Sequence, residues 1–275
     1  MKSYCFTASL LGAVIVFVTN CGTQTNTKVD QPANGNNVGP ISSEAKAAPP
    51  ERKILWDFRK PETAEPPKFS KAETKAVAKY VLGENAVPDI EITSRVSGSF
   101  TKPGAKETLY YLSGCEHDGQ FTEDCAHVEW NTAGRIAIYD GSAPVMKINE
   151  NLGGYIAAVT DVNGDGVNEI LSFGGYSGNG MTSTGAGLGQ ISGKTYKDIK
   201  GFNGYWDNCA IGEIDVEKKA AAAVISYVPA TDGKTPAFTG SYFQGVCGDD
   251  DRVGDDPKWK KITQKEFDAF FDGNS

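Results

Sequence analysis

Short stretches of alternating apolar and polar residues, separated by Gly, Asn or Asp, run through most of the chain after residue 50. Such alternation places every second side chain on one face of an extended strand, and Gly, Asn and Asp are common in tight turns. The predicted strands are Ile54 to Phe58, Ile90 to Val96, Thr108 to Leu112, Arg135 to Tyr139, Pro144 to Ile148, Tyr155 to Thr160, Glu169 to Phe173, Ala220 to Tyr227 and Trp259 to Ile262. The pattern therefore predicts a mainly β, antiparallel fold.

Two segments near the ends of this β region carry the start signals of short helices. The first helix is predicted from Ser70 to about Gly83, and the second begins at Thr263 and ends before Asp272. In each, Ser or Thr is followed three residues later by Glu, which is the spacing of a capping box. Apolar residues then recur on one helical face: Val77, Tyr80 and Val81 in the first helix, and Phe267, Phe270 and Phe271 in the second.

The first fifty residues do not share the β pattern. Lys2 precedes an apolar run from Leu10 to Val18, which has the length of a signal-peptide core and is too short to span a bilayer. Residues 21–50 are rich in Thr, Asn, Gly and Ala and have almost no large apolar side chain, so they predict a flexible linker. We therefore expect a signal peptide at 1–20, this linker, and a single β-rich domain at 51–275.

The signal-peptide core is followed by Val18-Thr19-Asn20-Cys21-Gly22, which resembles the lipobox of bacterial lipoproteins. The resemblance implies that Cys21 is lipidated and that the protein is exported and anchored through its lipid to the membrane of the bacterial cell envelope, at the outer membrane or the cell surface. The alternative is an ordinary signal peptide that leaves Cys21 unmodified.

The cysteine count is consistent with export. Without Cys5 in the signal peptide and the modified Cys21, four cysteines are left. In an oxidising compartment four cysteines are expected to form two disulfides, with three possible connectivities. Neighbours in sequence are favoured here, which pairs Cys115 with Cys125 and Cys209 with Cys247.

Charge narrows the class of partner. The net charge is −8 at neutral pH, whereas nucleic-acid binding needs clustered Lys and Arg that neutralise phosphates. Nucleic acid is therefore disfavoured, and cations are better small partners for this chain.

Three stretches of the chain have a similar layout of strand, polar turn and strand, near residues 97–113, 159–175 and 211–227. Their starts lie 62 and 52 residues apart, which is about the size of one propeller blade with its loops. The central stretch contains Asp161-Val162-Asn163-Gly164-Asp165-Gly166-Val167-Asn168-Glu169. The first stretch has Ser99, Thr101 and Pro103 at the first three alternate positions of this motif, and the third has Ala221 at the last.

This central motif resembles the Ca²⁺-binding turn of FG-GAP, or VCBS, repeats, which build the β-propellers of integrin α-subunits. The resemblance implies antiparallel repeats in a small or partial β-propeller. It also implies that Asp161, Asn163, Asp165 and Glu169 bind Ca²⁺ through side-chain oxygens and Val167 through its carbonyl, which suits a cation that prefers oxygen ligands. An EF-hand is disfavoured because the flanks are strands. The alternative is a pair of hairpin-turn dipeptides without a metal.

No catalytic signature accompanies this motif. The pairs Cys115/His117 and Cys125/His127 have no common zinc-site spacing, and cysteines this close usually oxidise in an exported protein. The glycine-rich stretch Gly174 to Gly193 lacks a dinucleotide or phosphate fingerprint and indicates a loop plus a hairpin. We expect a non-enzymatic binding or structural module with a protein or glycan ligand. The alternative is an envelope or secreted hydrolase acting on glycans, through a pair of carboxylates.

Overall fold

A computed structural model of the chain describes residues 51–60, 68–83, 90–117, 120–122, 132–212, 216–231, 233–248, 253 and 257–272. These residues all belong to one compact unit, 48–275. The predicted signal peptide at 1–20, the linker at 21–50 and Cys21 lie outside the described residues, as do Cys125 and His127.

The described strands form two antiparallel sheets, one of eight strands and one of five. The larger sheet, which is curled into a half-barrel, contains β1 (Lys53–Asp57), β7 (Tyr155–Thr160), β8 (Glu169–Gly178), β9 (Met181–Ser192), β10 (Thr195–Asp207), β11 (Lys219–Val228), β12 (Ala237–Val246) and β13 (Lys260–Ile262). Its order is β13-β12-β11-β10-β9-β8-β7, and β1 pairs with β11. The smaller sheet contains β2 (Ser94–Gly98), β3 (Glu107–His117), β4 (Gln120–Thr122), β5 (Thr132–Asp140) and β6 (Ala143–Asn149). Its order is β2-β3-β5-β6, and β4 pairs with β3.

The predicted mainly β fold is confirmed, and each of the nine predicted strands overlaps an observed one. The expected propeller is not confirmed, because the described strands form sheets of eight and five strands, whereas a propeller blade is a sheet of four. The sequence pattern missed β4, β9, β10 and β12 altogether, and it began β2 four residues early.

Glycine explains why β9 escaped the pattern. The hairpin expected between Gly174 and Gly193 is confirmed as β8 and β9, but these paired strands also fill the part that was expected to be a loop. They turn at Asn179 and Gly180, whose φ angles of 52° and 76° are typical of a two-residue hairpin turn. Within β9, a side chain at Gly189 would lie 2.3 Å from the ring of Tyr196. Glycine here lets a neighbouring aromatic ring lie against the strand.

The buried side chains form three clusters, which pack the helices and the two sheets together. The helix-side cluster lies between the first helix and the smaller sheet and contains Val77, Ala78, Val81, Ile90, Ile92, Leu112, Phe121, Ala137 and Tyr139. The central cluster joins the two sheets and contains Phe100, Leu109, Tyr111, Ile136, Ile138, Ile148, Leu152, Ile156, Ile170 and Ile191. The large-sheet cluster includes Phe58, Leu171, Phe173, Leu188, Trp206, Ala221, Phe267 and Phe270.

Successive residues of a strand belong to different clusters, because their side chains lie on opposite faces of the sheet. In β3, Tyr111 belongs to the central cluster and Leu112 to the helix-side cluster. In β8, Ile170 belongs to the central cluster and Leu171 to the large-sheet cluster. This period of two places an apolar layer between the sheets, and the edge strands β2 and β7 meet along it, where the Ile156 N–H donates to Oγ of Ser94 at 2.8 Å.

Both predicted helices are confirmed, but the expected capping box is complete only in the second. In α1 (Lys71–Leu82), Oγ of the N-cap Ser70 accepts from the Glu73 N–H at 3.1 Å. In α2 (Gln264–Asp268), Thr263 and Glu266 form a reciprocal capping box. These side chains satisfy backbone donors that a helix start leaves unpaired.

The predicted pairing of Cys209 with Cys247 is confirmed, and this disulfide joins the turn after β10 to the end of β12. Cys115 is also disulfide-bonded. Its predicted partner, Cys125, lies outside the described residues.

Candidate metal-binding hairpin

The predicted ligands lie in the loop that connects β7 and β8. Thr160 and Glu169 are paired across the base of this hairpin. Asp161 folds back over the loop, since its Oδ1 accepts from the Gly164 N–H at 2.7 Å and its Oδ2 from the Gly166 N–H at 3.0 Å. One exposed carboxylate therefore curls the next five residues of backbone around itself.

Two further side chains repeat this arrangement inside the loop. Oδ1 of Asn163 accepts from the Asp165 N–H at 2.9 Å, and Oδ1 of Asp165 accepts from the Val167 N–H at 2.8 Å. Short polar side chains that bond backbone two residues ahead favour tight turns. Alternate residues of the motif thus turn their oxygens toward the loop backbone.

Gly166 is required by the conformation and the packing of the loop. Its φ of 82° lies in the left-handed region, which side chains other than glycine enter at a cost. A Cβ at Gly166 would also lie 2.9 Å from Cβ of Pro103. The loop therefore packs directly against a second part of the chain.

Glu169 lies beneath the loop and is completely buried. Its Oε2 accepts from the Val162 N–H at 2.8 Å, but its Oε1 has no hydrogen-bond partner. Burial raises the pKa of the Glu169 carboxyl to about 7, the hydrogen bond from Val162 opposes this rise, and the charges of Asp165 and Asp161 add to it. A buried carboxylate oxygen without a donor is costly, so the hairpin has an unsatisfied acceptor at its centre.

The first of the three stretches also forms a hairpin, between β2 and β3, with the same layout; it is the first hairpin, and that of β7 and β8 is the second. Gly98 pairs with Glu107 across β2 and β3, as Thr160 pairs with Glu169 across β7 and β8. The turn glycine Gly104 has a φ of 73°, and Glu107 is also buried. The two hairpins are thus equivalent residue by residue, 62 positions apart.

The two hairpins differ at the second carboxylate oxygen. In the first hairpin, Oε2 of Glu107 accepts from the Phe100 N–H at 2.7 Å, as Oε2 of Glu169 accepts from Val162. Oε1 of Glu107 accepts a hydrogen bond from the Thr101 hydroxyl. Asn163 stands at the corresponding position in the second hairpin, and its amide bonds Asp165 instead.

The hairpins also bind each other. The Ser99 N–H donates to Oδ1 of Asn168 and the Asn168 N–H donates to the carbonyl oxygen of Ser99, both at 2.7 Å. This reciprocal pair joins the loop of the smaller sheet to the loop of the larger sheet.

The third stretch does not begin with a strand as expected. Ile211 and Gly212 lie in the turn between β10 and β11, and residues 213–215 lie outside the described part of the chain. Asn208 holds this turn, because its Oδ1 accepts from the Lys219 N–H at 2.8 Å and its Nδ2 donates to the Glu217 carbonyl at 3.1 Å. The strand pair around it, with Asp207 opposite Ala220, lacks the buried glutamate of the other two hairpins.

Residues outside the motif complete the surroundings of the loop. Nε2 of Gln190 in β9 donates to Oδ2 of Asp165 at 2.9 Å. The turn after β11 donates the Ala230 N–H to the Val162 carbonyl and the Gly233 N–H to the Asn163 carbonyl, both at 3.2 Å. The sequence motif gave no signal for these contacts, which come from strands distant in sequence.

The donor set consists of oxygen atoms, which are the ligands that Ca²⁺ prefers. Within the described ranges, no three His, Cys, Asp or Glu side chains are grouped closely enough to hold a metal. Two of the five predicted ligands, Asn163 and the carbonyl of Val167, are of other types. The carboxylates of Asp161, Asp165 and Glu169 belong to one loop but do not form such a group. The unpaired Oε1 of Glu169 is an acceptor that fits a cation.

A surface cavity of about 290 Å³ lies elsewhere, between β6 and the start of β10. Its lining includes Lys147, Glu150, Lys194 and Tyr196. Glu150 is the one carboxylate in the lining, whereas most glycoside hydrolases use two. This cavity therefore offers no support for the hydrolase alternative.

Comparison of the chain with known protein families, with curated proteins and with solved structures gave no match. Neither helix in the described part of the chain is long and apolar enough to cross a membrane.

Proposed function

We propose that the chain is a Ca²⁺-binding, non-enzymatic binding or structural module of the bacterial cell envelope, in which the cation rigidifies the loop between β7 and β8. The proposed ligands are Asp161, Asn163, Asp165 and Glu169 through side-chain oxygens and Val167 through its carbonyl oxygen. The folded domain would present a protein or glycan ligand with a surface stabilised by the metal.

The observation that carries this proposal is the buried, unpaired Oε1 of Glu169. The equivalent oxygen of Glu107 has a protein donor, Thr101, in a hairpin that lacks the acidic residues. The second hairpin has the acidic residues and lacks the donor. A cation bound among these acidic residues replaces the hydroxyl in satisfying the buried carboxylate.

The chemistry of the loop supports Ca²⁺ over softer metals. Carboxylate, amide and carbonyl oxygens are hard ligands, and alternate spacing on a curled backbone suits a cation with about six to eight ligands. Three carboxylates and one amide suggest the weaker, extracellular kind of site, with a Kd on the order of 10⁻⁴ to 10⁻³ M.

Thermal melting with and without Ca²⁺ tests the site. Ligand binding at ten to a hundred times Kd stabilises a protein by about 1.4–2.7 kcal/mol, which raises Tm by several degrees for a domain of this size. We expect this rise in 10 mM Ca²⁺ and its loss in Asp161→Ala and Asp165→Ala.

The first hairpin provides a matched control. Ser99→Ala alters the position equivalent to Asp161, keeps the backbone groups of Ser99 that bond Asn168, and should keep the full response to Ca²⁺. A Tm that is the same in chelator and in saturating Ca²⁺ overturns the proposal.

The repeat likeness and the anchor are part of the proposal. The equal registers and buried glutamates of the two hairpins support an FG-GAP-like repeat, and this likeness is limited to the hairpins because four-stranded blades are missing from the described sheets. The segment Val18 to Gly22 supports lipidation at Cys21. Labelled fatty acid fed to a bacterium expressing the full chain should label the protein, and Cys21→Ala should abolish the label. Labelling that is unchanged in Cys21→Ala overturns the anchor.

A further inference from the structure

Gln190 is a polar side chain of the candidate site that lies outside the nine-residue motif. It belongs to β9, is half-buried, and donates from Nε2 to Oδ2 of Asp165 at 2.9 Å. Asn163 donates from Nδ2 to the same oxygen at 3.3 Å. Two amide groups, one from the loop and one from the sheet, therefore converge on one carboxylate oxygen.

The motif alone leaves at least one coordination position of Ca²⁺ to water or to another residue. Glu169 offers one oxygen, since its Oε2 accepts from the Val162 N–H and its Oε1 is the unpaired atom. Asp161 has each oxygen engaged with a different backbone N–H, which favours binding a cation through a single oxygen. One oxygen from each of the five motif residues makes five, and Ca²⁺ takes about six to eight.

The amide of Gln190 can supply a further oxygen without moving the strand. The torsion that orients a Gln amide is broad and roughly two-fold, so a half-turn exchanges Oε1 and Nε2. After that exchange, the oxygen occupies the position from which the nitrogen contacts Asp165. In the metal-free protein the Gln190 amide donates a hydrogen bond to the Asp165 carboxylate. When the metal is bound, the same amide is a neutral ligand beside that carboxylate.

We infer that Gln190 is an additional Ca²⁺ ligand, contributed through its amide oxygen from β9. This inference rests on the proposed Ca²⁺ site. Its consequence is that the metal joins the loop to a strand of the larger sheet, and not only the two ends of one hairpin. The Gln190 side chain is also missed by any search for the nine-residue motif.

The number of water molecules on the bound ion tests this assignment. Tb³⁺ prefers the same oxygen ligands, and its emission lifetimes in H₂O and D₂O report how many water molecules it holds. In Gln190→Ala, one more water than in the wild type is expected, with binding about tenfold weaker. In Gln190→Glu, the water count should stay at the wild-type value, with tighter binding.

The variants separate a ligand from a side chain that only positions Asp165. A positioning role predicts weaker binding in Gln190→Ala with no added water, and that result overturns the inference. Gln244→Ala, on β12, is the matched control and should leave lifetimes and affinity unchanged. If Gln190→Ala does not fold, a gain of water in Gln190→Glu is the overturning result.

The proposed function and this inference fail in different ways. Wild-type protein that binds neither Tb³⁺ nor Ca²⁺ overturns both. Binding that Asp161→Ala abolishes, with equal water counts in wild type and Gln190→Ala, retains the site and overturns only the role of Gln190.

Discussion

The hydroxyl of Thr101 donates a hydrogen bond to Oε1 of Glu107. With the backbone donors at Oε2, this contact satisfies both oxygens of a buried carboxylate. The same glutamate position in the neighbouring hairpin, Glu169, has a donor at Oε2 alone. One chain thus contains both a self-sufficient and an unsatisfied version of the same turn.

Exchanging the residue type at this position should convert one turn into the other. In Asn163→Thr, a hydroxyl at the position equivalent to Thr101 would satisfy Oε1 of Glu169 and remove one metal ligand. We expect the metal-free protein to gain about 1–3 kcal/mol of stability, which is the cost of an unsatisfied buried acceptor. The affinity for Ca²⁺ should fall at least tenfold. Urea unfolding in chelator and a Ca²⁺ titration measure the two effects.

A change at the equivalent position of the first hairpin is the control for that experiment. Thr101→Val keeps the shape of the side chain and removes the donor to Glu107, so it should destabilise the protein by about 1–3 kcal/mol with unchanged Ca²⁺ affinity. Equal effects of Asn163→Thr and Thr101→Val on Ca²⁺ binding would contradict the assignment of the site to one hairpin.

The two turn glycines should differ in how well they tolerate alanine. Gly104 and Gly166 have φ angles of 73° and 82°, so both variants carry a backbone cost of about 1–2 kcal/mol. A Cβ at Gly104 has nothing within 4 Å, whereas one at Gly166 lies 2.9 Å from Pro103. Gly166→Ala should therefore be the more destabilising by urea unfolding, and equal losses in the two variants would contradict the packing of Pro103 against the loop.

The metal-free protein should lose stability as the pH rises toward neutrality. The pKa of Glu169 is raised from 4.5 to about 7 by burial, so the folded state holds this proton more tightly than the unfolded chain does. Its contribution is fully present below about pH 4.5 and is lost as the pH rises through about 7. The measurement is the free energy of unfolding in metal-free buffer from pH 5 to pH 8.

Glu169→Gln isolates this contribution from those of other carboxylates. The difference in unfolding free energy between wild type and Glu169→Gln should change as the pH rises from 5 to about 7 and should become constant above the pKa of Glu169. A difference that stays constant from pH 5 to pH 8 would contradict the raised pKa of Glu169.

Removing the confirmed disulfide should destabilise the larger sheet. Cys209 and Cys247 are separated by 38 residues, and closing a loop of this length is worth about 4 kcal/mol in the chain-entropy model. The double variant Cys209→Ser with Cys247→Ser should unfold at lower urea concentration by a corresponding amount. If the double variant is less stable than the wild type by the same amount when both are measured in reductant, the loss comes from the substitutions and not from the missing disulfide.

Local signals account for the parts of the fold that could be predicted. The capping residues Ser70 and Thr263 determine where each helix begins through contacts within four residues, and the alternation from Tyr155 to Thr160 gave β7 its observed bounds. The loop motif predicted that its members share one turn because they lie in nine consecutive residues, whereas the gathering of their oxygens around a cation stays a prediction.

The parts that escaped prediction depend on distant contacts. In β9, glycines alternate with Ala186 and Leu188 and so leave one face without apolar side chains, and the ring of Tyr196 covers the strand at Gly189. Gln190 joins the candidate site only because β9 pairs beside β8, and no spacing in the sequence encodes that neighbour. The arrangement in two sheets likewise follows from pairings across the chain, which the blade-sized spacing of the repeats did not indicate.

The reciprocal hydrogen bonds between Ser99 and Asn168 have a consequence for how the domain opens. They join the two sheets at the loops of both hairpins, so neither hairpin can separate without breaking the contact with the other. We expect amide hydrogen exchange to reveal one cooperative opening unit that contains both loops. Stabilising one loop would then slow amide exchange in the other, so an ion bound at the edge of one sheet would control the local opening of both sheets.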